Sequence, residues 1–576
     1  MRSRYLAVLA SLLVATSAVF QVRSMSGAGN TLPPSTNEFA VGAEQAATQS
    51  VTARTLNVYK LPRISPAAAP AAGPRAMPLL PLGRTKPGSW NNAPAASPLP
   101  PTPAPFSLGA SASTGFSGMA DSAAICPYFG GCEPPDMALA TSPRFVLQAV
   151  NTSLALYSTA GTLLAGPFNA QNFFGVPNPA PFGCDPAGPF LSDPRAFYDP
   201  NTGRFWVEIL QLENAVGIAP RCHFLSAYWI ANLDPVSGAI HIYKFDMTLG
   251  TRNVADYSQF GFSGVTVSFT ANMFNQPGTA YEYAEALFAD KKAMEAGEPV
   301  RPVAFTNLSL GGILVDTVQP VETETPPSGD PGVQYLVNSF NFNGDPFGDD
   351  CGYSVLATSC HGFVVWAYHP ATKAISAALA ESGSYVVPPN ADQPGCNQCI
   401  ETIDARITGT PVYSVGTGRP LISFGIGTAL MNGTETVAGI LWGQIRPTLS
   451  RGAATEASIY QEGHIVYAGD RAVLFPAVMQ DVNGNLFMVF DTMSHSLNPS
   501  IMVTKRLKSD PLGTLRIPVL LKKSLVAYGS VPGRWGDYEA TSYDGFTTNH
   551  VWVASQYAGG PGIGGFGNWA TFISRR

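Results

Sequence analysis

Apolar and polar residues alternate in short runs along most of the chain, and clusters of Asp, Asn, Gly and Pro separate these runs. Three segments show the pattern most clearly, because each has a short strand-like run, an Asp/Asn/Gly turn and a second run of aromatic and β-branched residues: Asp193–Val207, Phe475–Val489 and Gly536–Val553. Alternation with a period of two is typical of half-buried strands, and turns of this composition connect hairpins. The pattern therefore predicts β-hairpins.

The hairpin pattern recurs at intervals that leave room for about four strands each, which is one blade of a β-propeller. The copies start near Asp136, Asp193, Asp256, Gln319, Asp404, Pro476 and Asp537. These starts predict an all-β, seven-bladed β-propeller, with six blades as the other count. A pair of β-sandwiches also has short strands with turns, but it does not require one hairpin pattern to recur at near-constant spacing.

One segment departs from the strand pattern. Glu282–Ala296 contains mostly Ala, Glu, Lys, Met and Leu, which favour helix. We predict that it forms a short helix on the surface of the third blade.

The N-terminal part of the chain has a different composition. Arg2 and Arg4 precede a mostly apolar stretch that ends at Phe20, which is typical of a secretory signal peptide and is shorter than the roughly 18 apolar residues of a membrane anchor. Between Pro62 and Phe106 there are 13 prolines in 45 residues, too many for a packed core. We predict a signal peptide over 1–20, a Pro/Ala-rich disordered tail or linker over 21–115, and the propeller over 116–576.

These segments predict a secreted or extracellular protein, in the periplasm or at the cell surface as further options, with no membrane span after signal cleavage. Only 12% of the residues are charged, and 33 basic against 39 acidic residues give a net charge of −6. No run of Lys and Arg is present that would neutralise a phosphate backbone, so the composition excludes nucleic acid as a partner. A closed propeller also explains how a β protein with few charges avoids exposed sheet edges.

The eight cysteines form an even set, which in an exported chain favours disulfides. Cys126 with Cys132 and Cys351 with Cys360 are close enough in sequence to close single loops, and Cys184 with Cys222 is a weaker pairing. The Cys396-Asn-Gln-Cys399 spacing also matches half of a zinc site or a redox motif. We predict a loop disulfide there, because no second ligand pair and no βαβ unit surrounds the motif.

Several strings resemble secreted bacterial propellers of the sialidase-like, Asp-box-like kind. They are Pro134–Asp136, Ser192–Arg195, Asp256-Tyr257 with Thr270–Phe274, and Arg534–Tyr538 followed by Trp552 and Trp569. The intact Asp box, Ser-x-Asp-x-Gly-x-Thr-Trp, is not present, and Ser542–Thr547 comes nearest to it. The resemblance implies an extracellular propeller with a carbohydrate-active or carbohydrate-binding role.

Charged residues stand at the starts of the predicted blades. Asp193 and Arg195 are two residues apart, as are Asp404 and Arg406, and such residues share one face of a strand. The first strand of each propeller blade lines the central channel, so these side chains are expected to converge there, whereas Tyr538 is expected to face away from its neighbour Asp537.

This convergence has two interpretations. In the functional one, carboxylates supply acid/base chemistry for glycosidic cleavage and the other groups hold the ligand: candidate catalytic residues Asp193, Asp404 and Asp537; candidate ligand-binding residues Arg195, Asp256, Tyr257, Arg406 and Arg534. In the structural one, these charges pair with one another between blades. No metal ligands and no cofactor are predicted.

The predicted function is binding, with hydrolysis left open, of an extracellular glycan or another polymer, and an enzyme of this kind would be glycoside hydrolase-like. The alternative is a non-catalytic adhesive or scaffold propeller that recognises a cell-surface protein. An enzyme requires one acidic site with unequal surroundings, whereas a scaffold can present an even ring.

Overall fold

A computed structural model describes residues 40–64, 75–76, 115–122, 125, 132–177, 189–215, 223–340, 360–433, 435–529, 533–560 and 569–576. This part of the chain is all-β, as predicted, with the short helices α1 (Ala170–Phe174) and α2 (Lys291–Ala296) and two 3-10 turns, Val58–Lys60 and Pro327–Gly329. No helix in these ranges is long and apolar enough to cross a membrane. The predicted signal peptide lies outside the described residues.

Five short strands come first in the chain: β1 (Val41–Ala46), β2 (Arg54–Asn57), β3 (Arg75–Ala76), β4 (Gly115–Ala120) and β5 (Cys132–Glu133). The strands that follow form antiparallel units, numbered here in chain order. Unit 1 contains β6 (Ala138–Thr141), β7 (Phe145–Val150), β8 (Ser153–Ser158) and β9 (Leu163–Asn169). Unit 2 contains β10 (Phe190–Asp199), β11 (Arg204–Glu213), β12 (Leu225–Leu233) and β13 (Ala239–Asp246). Unit 3 contains β14 (Val254–Phe262), β15 (Thr266–Phe274), β16 (Tyr281–Asp290) and β17 (Val303–Leu310), with β18 (Ile313–Leu314) against β17.

Four further units complete the body. Unit 4 contains β19 (Gln319–Pro320), β21 (Gln334–Ser339), β22 (Cys360–His369) and β23 (Ala374–Tyr385), and β20 (Glu322–Thr323) follows β19 in the chain. A separate hairpin consists of β24 (Ala391–Gln393) and β25 (Cys396–Ile400). Unit 5 contains β26 (Val412–Ser414), β27 (Leu421–Met431), β28 (Thr436–Ser450) and β29 (Ala453–Ile465). Unit 6 contains β30 (Ala472–Gln480), β31 (Leu486–Ser494), β32 (Leu497–Arg506) and β33 (Val519–Lys523), and unit 7 contains β34 (Ala540–Tyr543), β35 (Val551–Ala558) and β36 (Trp569–Arg575).

The first strands of successive units contact one another. β6 contacts β10, β10 contacts β14, β14 contacts β19, and β30 contacts both β26 and β34. β20 pairs in parallel with β14 and with β26 and so joins units 3 and 5. β34 in turn contacts β6, so the last unit meets the first. Many small antiparallel sheets whose first strands meet in this way make a β-propeller-like arrangement.

The N-terminal strands run along the outer edges of four units. β1 pairs with β17 of unit 3, β2 pairs with β13 of unit 2, and β4 pairs with β36 of unit 7. Between them, the Ile64 amide donates to the Pro167 carbonyl of β9 in unit 1. We call residues 41–64 and 115–120 the N-terminal belt. The belt covers sheet edges that would otherwise be unpaired.

The belt differs from the disordered tail predicted over 21–115. β1 and β2 lie within that range, and both are paired strands, because an exposed outer strand offers backbone partners to any short extended segment that reaches it. Composition alone does not reveal such pairing. Most of residues 65–114 lie outside the described part, so the boundaries of the tail stay a prediction.

The core lies between the faces of neighbouring units. Phe197 of unit 2 packs against Phe260 and Phe262 of unit 3, with ring centroids 4.7 and 4.3 Å apart, and Phe363 of unit 4 packs on Phe424 of unit 5 at 4.2 Å. Strands buried on both faces have nearly continuous apolar sequences, which is why the clear alternation of the sequence is limited to some strands.

Two local predictions can be compared directly with the structure. The helix predicted over Glu282–Ala296 is wrong for its first part, because β16 occupies Tyr281–Asp290 and buries Ala284, Ala286, Leu287 and Phe288 against β15 and β17. Burial in a sheet outweighs the weak helix propensity of these residues. Only Lys291–Ala296 is helical.

The predicted loop disulfide between Cys396 and Cys399 is confirmed, with 5.8 Å between the Cα atoms. Cys360 is also disulfide-bonded. Cys126, Cys184, Cys222 and Cys351 lie outside the described residues, so the pairings that involve them stay predictions.

Candidate functional site

Left-handed backbone marks the starts of six units. Non-glycine residues with φ between 39° and 57° stand there: Asp136, Asp193, Tyr257, Thr317, Ile403 and Phe475. Such conformations are uncommon outside glycine and cluster where a structure holds functional groups. In units 2, 3 and 6 they coincide with register shifts of the first strand. The shifts break the two-residue alternation and turn neighbouring side chains toward one another.

The structure brings the predicted site residues together at these starts. We call the group the start cluster; it consists of Asp136, Asp193, Arg195, Asp256, Tyr257, Asp404, Arg406, Arg534, Asp537 and Tyr538. Contacts within it link units 1, 2, 3, 5 and 7, as the following pairs show.

Asp404 and Arg406 form a two-point ion pair, as their spacing predicts. Arg406 Nη2 lies 2.5 Å from Asp404 Oδ2, and Arg406 Nε donates to Asp404 Oδ1 at 2.7 Å. The Arg406 amide also donates to Oδ1 at 3.0 Å. Both side chains are buried. Each group therefore satisfies the other inside the protein.

Arg534 joins Asp537 to the β24–β25 hairpin. Its Nη2 lies 2.7 Å from Asp537 Oδ1 and 2.9 Å from Oδ2, while Nη1 lies 3.5 Å from Glu401 Oε2. The Asp537 amide donates to Asp136 Oδ1 at 2.8 Å, and Asn151 Nδ2 donates to Asp136 Oδ2 at 2.8 Å. These bonds tie unit 7 to unit 1.

Arg195 packs between aromatic rings. Its guanidinium carbon lies 3.3 Å from the Tyr538 ring centroid and 5.6 Å from that of Tyr257. The guanidinium carbon of Arg406 lies 4.4 Å from the Tyr257 ring centroid. Arg195 Nε and Nη1 donate to the carbonyls of Ser258 and Thr408, each at 3.2 Å. Nη2 has no hydrogen-bond partner among the described residues.

Two spacing-based expectations are corrected here. Asp193 does not pair directly with Arg195, and its Oδ1 accepts from Ser192 Oγ at 2.7 Å, because the register shift between Ser192 and Arg195 ends the strand alternation. Tyr538 does not face away from the cluster: its ring lies against Arg195 and its hydroxyl donates to Pro194 O at 2.9 Å. It precedes β34, so strand alternation does not apply to it.

The carboxyls of the cluster outnumber its arginines and are held away from water. Burial, together with the charge of Asp537, raises the pKa of Asp193 to about 6. Burial and the charge of Asp193 raise the pKa of Asp256 to about 7. The pKa of Asp136 is raised well above its usual value by burial and by the charges of Asp537 and Asp193. Close carboxyls in a low dielectric resist simultaneous ionisation.

Solvent reaches the cluster unevenly. Asp256 is half-buried by surface area although protein atoms surround its carboxyl, and Asp193 keeps 8% of its surface exposed. Further along the first strands, a cavity of about 20 Å³ is lined by Arg195, Glu322 and Glu539 among others. It has room for about one water molecule. Among the carboxyls of the start cluster, Asp256 is the most exposed to solvent.

The starts of the units do not all carry charged residues. At the left-handed position, units 4 and 6 carry Thr317 and Phe475 where units 1 and 2 carry Asp136 and Asp193. The charged groups are thus concentrated on one part of the ring. Sequence repetition did not reveal Glu401 or Asn151, which contact Arg534 and Asp136 from outside the first strands. It did not reveal the buried Glu133 either. The pKa of Glu133 is raised to about 8 by burial and by the charge of Asp121.

Comparisons with known proteins identify no relative by sequence: no protein-family model matches the chain, and no curated protein matches it. Solved structures with a similar fold include a Synechocystis apocarotenoid oxygenase mutant, at 13% identity over 73% of this chain and 78% of that chain, with a TM-score of 0.34. A Hadza microbial sialidase is 8% identical over 75% and 73% of the two chains, with a TM-score of 0.30. A Trypanosoma rangeli sialidase is 7% identical over 76% and 59%, with a TM-score of 0.33. At such low identities and TM-scores these similarities assign neither a family nor a function to the chain.

Proposed function

We propose that this protein is an exported, seven-bladed β-propeller that binds an extracellular glycan or a similar polyhydroxylated polymer at the start cluster and hydrolyses it by acid/base catalysis. The seven antiparallel units are the blades, and their first strands surround the axis. The observation that carries the function is the pair of carboxyls Asp193 and Asp256, which have raised pKa values. Asp256 is half-buried, and Asp193 keeps 8% of its surface exposed.

The two carboxyls suit different roles. Asp256, with a pKa raised to about 7, is protonated in about half of the molecules at neutral pH, so it is the proposed proton donor to the leaving oxygen. Asp193, with a pKa of about 6, is the more ionised partner and the proposed base or nucleophile. Environments that separate two carboxyl pKa values assign the acid and the base in this way.

We assign the predicted catalytic roles to different residues. Asp404 and Asp537 are engaged by Arg406 and Arg534 inside the protein, so we propose that they position the cluster and do not transfer protons. Tyr257 is buried against Arg195 and Arg406, and we propose that it also positions the cluster. Asp193 and Asp256 are left as the proposed ligand-contacting groups.

Export is supported by the disulfide chemistry. The Cys396–Cys399 bridge and the bonded state of Cys360 fit an oxidising compartment. The Arg-led apolar N-terminus over residues 1–20 supports the same proposal from the sequence.

The experiment is a hydrolysis assay on a panel of extracellular polysaccharides, with release of reducing ends as the readout. Asp193→Asn and Asp256→Asn should each lower the rate by at least about 100-fold, the usual contribution of a general acid or base. Asp316→Asn is the matched control, because Asp316 directly precedes the left-handed Thr317 of unit 4 as Asp256 precedes Tyr257. Binding without cleavage would reduce the proposal to a lectin-like role. Neither binding nor cleavage would favour the scaffold alternative.

A further inference from the structure

A second group of side chains, outside the start cluster, joins three separated parts of the chain. Asp392 lies on β24, Asp470 precedes β30, and His495 lies in the turn between β31 and β32. Their ligand atoms all lie within 4.8 Å of one another. His495 Nδ1 is 2.7 Å from Asp470 Oδ2 and 3.2 Å from Asp392 Oδ2.

These separations are close to the edges of a metal coordination sphere. A cation bound to an imidazole nitrogen and to carboxylate oxygens at about 2.0–2.2 Å places neighbouring donor atoms about 2.9–3.4 Å apart at tetrahedral or octahedral angles. The 3.2 Å separation lies within that range, whereas the 2.7 Å separation is the length of a hydrogen bond and has to lengthen slightly to admit an ion. Two carboxylates that face an imidazole nitrogen are stabilised by a positive charge between them, which a bound metal ion or a proton on the ring can supply.

The second nitrogen of the ring has a separate partner. His495 Nε2 lies 2.8 Å from Asn397 Oδ1, which accepts its hydrogen. A metal-binding histidine usually donates its other N–H to such an oxygen, and this fixes the ring orientation and the tautomer. Asn397 lies inside the loop that the Cys396–Cys399 disulfide closes. The backbone amide of Gln398 in the same loop donates to Asp392 Oδ1 at 2.5 Å.

We propose that Asp392, Asp470 and His495 form a divalent-metal site, with Zn²⁺ as the preferred ion, that fastens the β24–β25 hairpin to unit 6. One imidazole nitrogen with two carboxylate oxygens favours Zn²⁺ over Mn²⁺, and hard Mg²⁺ prefers oxygen ligands alone. Three protein ligands leave a fourth position for water or a ligand atom. Sequence spacing does not predict the site, because its ligands come from three distant segments.

The fastened hairpin also touches the start cluster. Gln393 Nε2 donates to Tyr528 O, and the Tyr528 amide donates to Gln393 Oε1, each at 2.8 Å. Glu401, which directly follows β25, contacts Arg534 at 3.5 Å. The metal would thus hold the β24–β25 hairpin in place beside the start cluster. Metal binding does not depend on the proposed hydrolysis.

Titration calorimetry of the full chain with ZnCl₂, MnCl₂ and MgCl₂ tests the site. We expect one Zn²⁺ per chain, weaker binding of Mn²⁺ and no heat with Mg²⁺. His495→Gln and Asp392→Asn should each weaken Zn²⁺ binding at least tenfold, while His223→Gln, at an exposed histidine of unit 2, should leave it unchanged. Thermal unfolding without metal checks that each variant is folded.

Hydrogen exchange provides a second readout that does not depend on variants. Zn²⁺ should slow exchange of the amides in residues 391–400 of the parent protein. Zn²⁺ binding that is equal in His495→Gln and in the parent would overturn the proposal. So would a parent protein that binds no Zn²⁺, because the charge between the carboxylates would then be a proton on His495 alone.

Discussion

The positive charge of Arg406 is balanced inside the protein by the carboxylate of Asp404. Removal of its side chain in Arg406→Ala leaves Asp404 buried without its ion partner, and breaking a buried pair in this way costs about 3–5 kcal/mol of unfolding free energy. Arg516→Ala is the matched control, because it breaks the exposed pair with Asp510 and should cost about 0–1 kcal/mol. Chemical denaturation measures both. Equal losses in the two variants would contradict the structural role of Arg406.

The ionisation of Asp256 should make the unfolding free energy depend on pH, and this contribution can be measured separately. Its pKa is raised from 3.8 to about 7, so the folded protein keeps a proton that the unfolded chain releases. Asp256→Asn resembles the protonated form and lacks the cost of ionising this site. The unfolding free energy of Asp256→Asn relative to the parent should therefore rise between about pH 4 and 7, by up to about 1.4 kcal/mol per pH unit, and level off above. A difference that is constant or falls with pH would contradict the raised pKa.

Single residues also show how far the site was predictable. All eight predicted site residues lie at the starts of units, because Asp and Arg recur there in the sequence. Their pairing was predictable only for Asp404 and Arg406. At Asp193 a left-handed residue breaks the strand alternation, and no sequence signal marks an aspartate with positive φ. Glu401 reaches Arg534 from a distant hairpin, which spacing cannot indicate.

Among the strands, β1 is the one whose contribution to stability can be tested most directly by deletion. It pairs with the outer strand β17 from Val41↔Leu310 to Ala46↔Ala304. Deletion of residues 1–50 should lower the unfolding free energy by about 2 kcal/mol, from several lost backbone hydrogen bonds, and should promote self-association through the bare edge of β17. Light scattering after size exclusion measures the association. Deletion of residues 1–38, which retains β1, should remain like the parent.

The hairpins were predictable where the turn residues are types that hydrogen-bond within the turn. The hairpins predicted at Asp193, Phe475 and Gly536 are β10–β11, β30–β31 and β34–β35. Asp199, Asp481 and Asp544 accept hydrogen bonds within their turns, which is why such residues mark a hairpin in sequence. β16 was missed because its residues favour helix in isolation, and only its two partner strands determine its conformation.

At the scale of the whole molecule, the chain ends meet in unit 7. β34–β36 come from the C-terminus and β4 comes from the N-terminal belt, so one sheet joins both ends of the chain. Deletion of residues 1–121 removes β4 and should abolish cooperative unfolding and near-ultraviolet circular dichroism, unlike the milder deletion of residues 1–50. Retention of a cooperative transition without β4 would show that the pairing of the two chain ends in this sheet is dispensable.

The most direct test of the account is the binding of the parent protein and Asp256→Asn to an array of extracellular glycans. Because Asp256 is the one half-buried carboxyl of the start cluster, the parent should bind a defined set of glycans and Asp256→Asn should lose that binding at least tenfold while remaining folded. Asp316→Asn should bind as the parent does. Equal binding by Asp256→Asn and the parent, or no glycan bound by the folded parent, would contradict the claim that the start cluster is a glycan site.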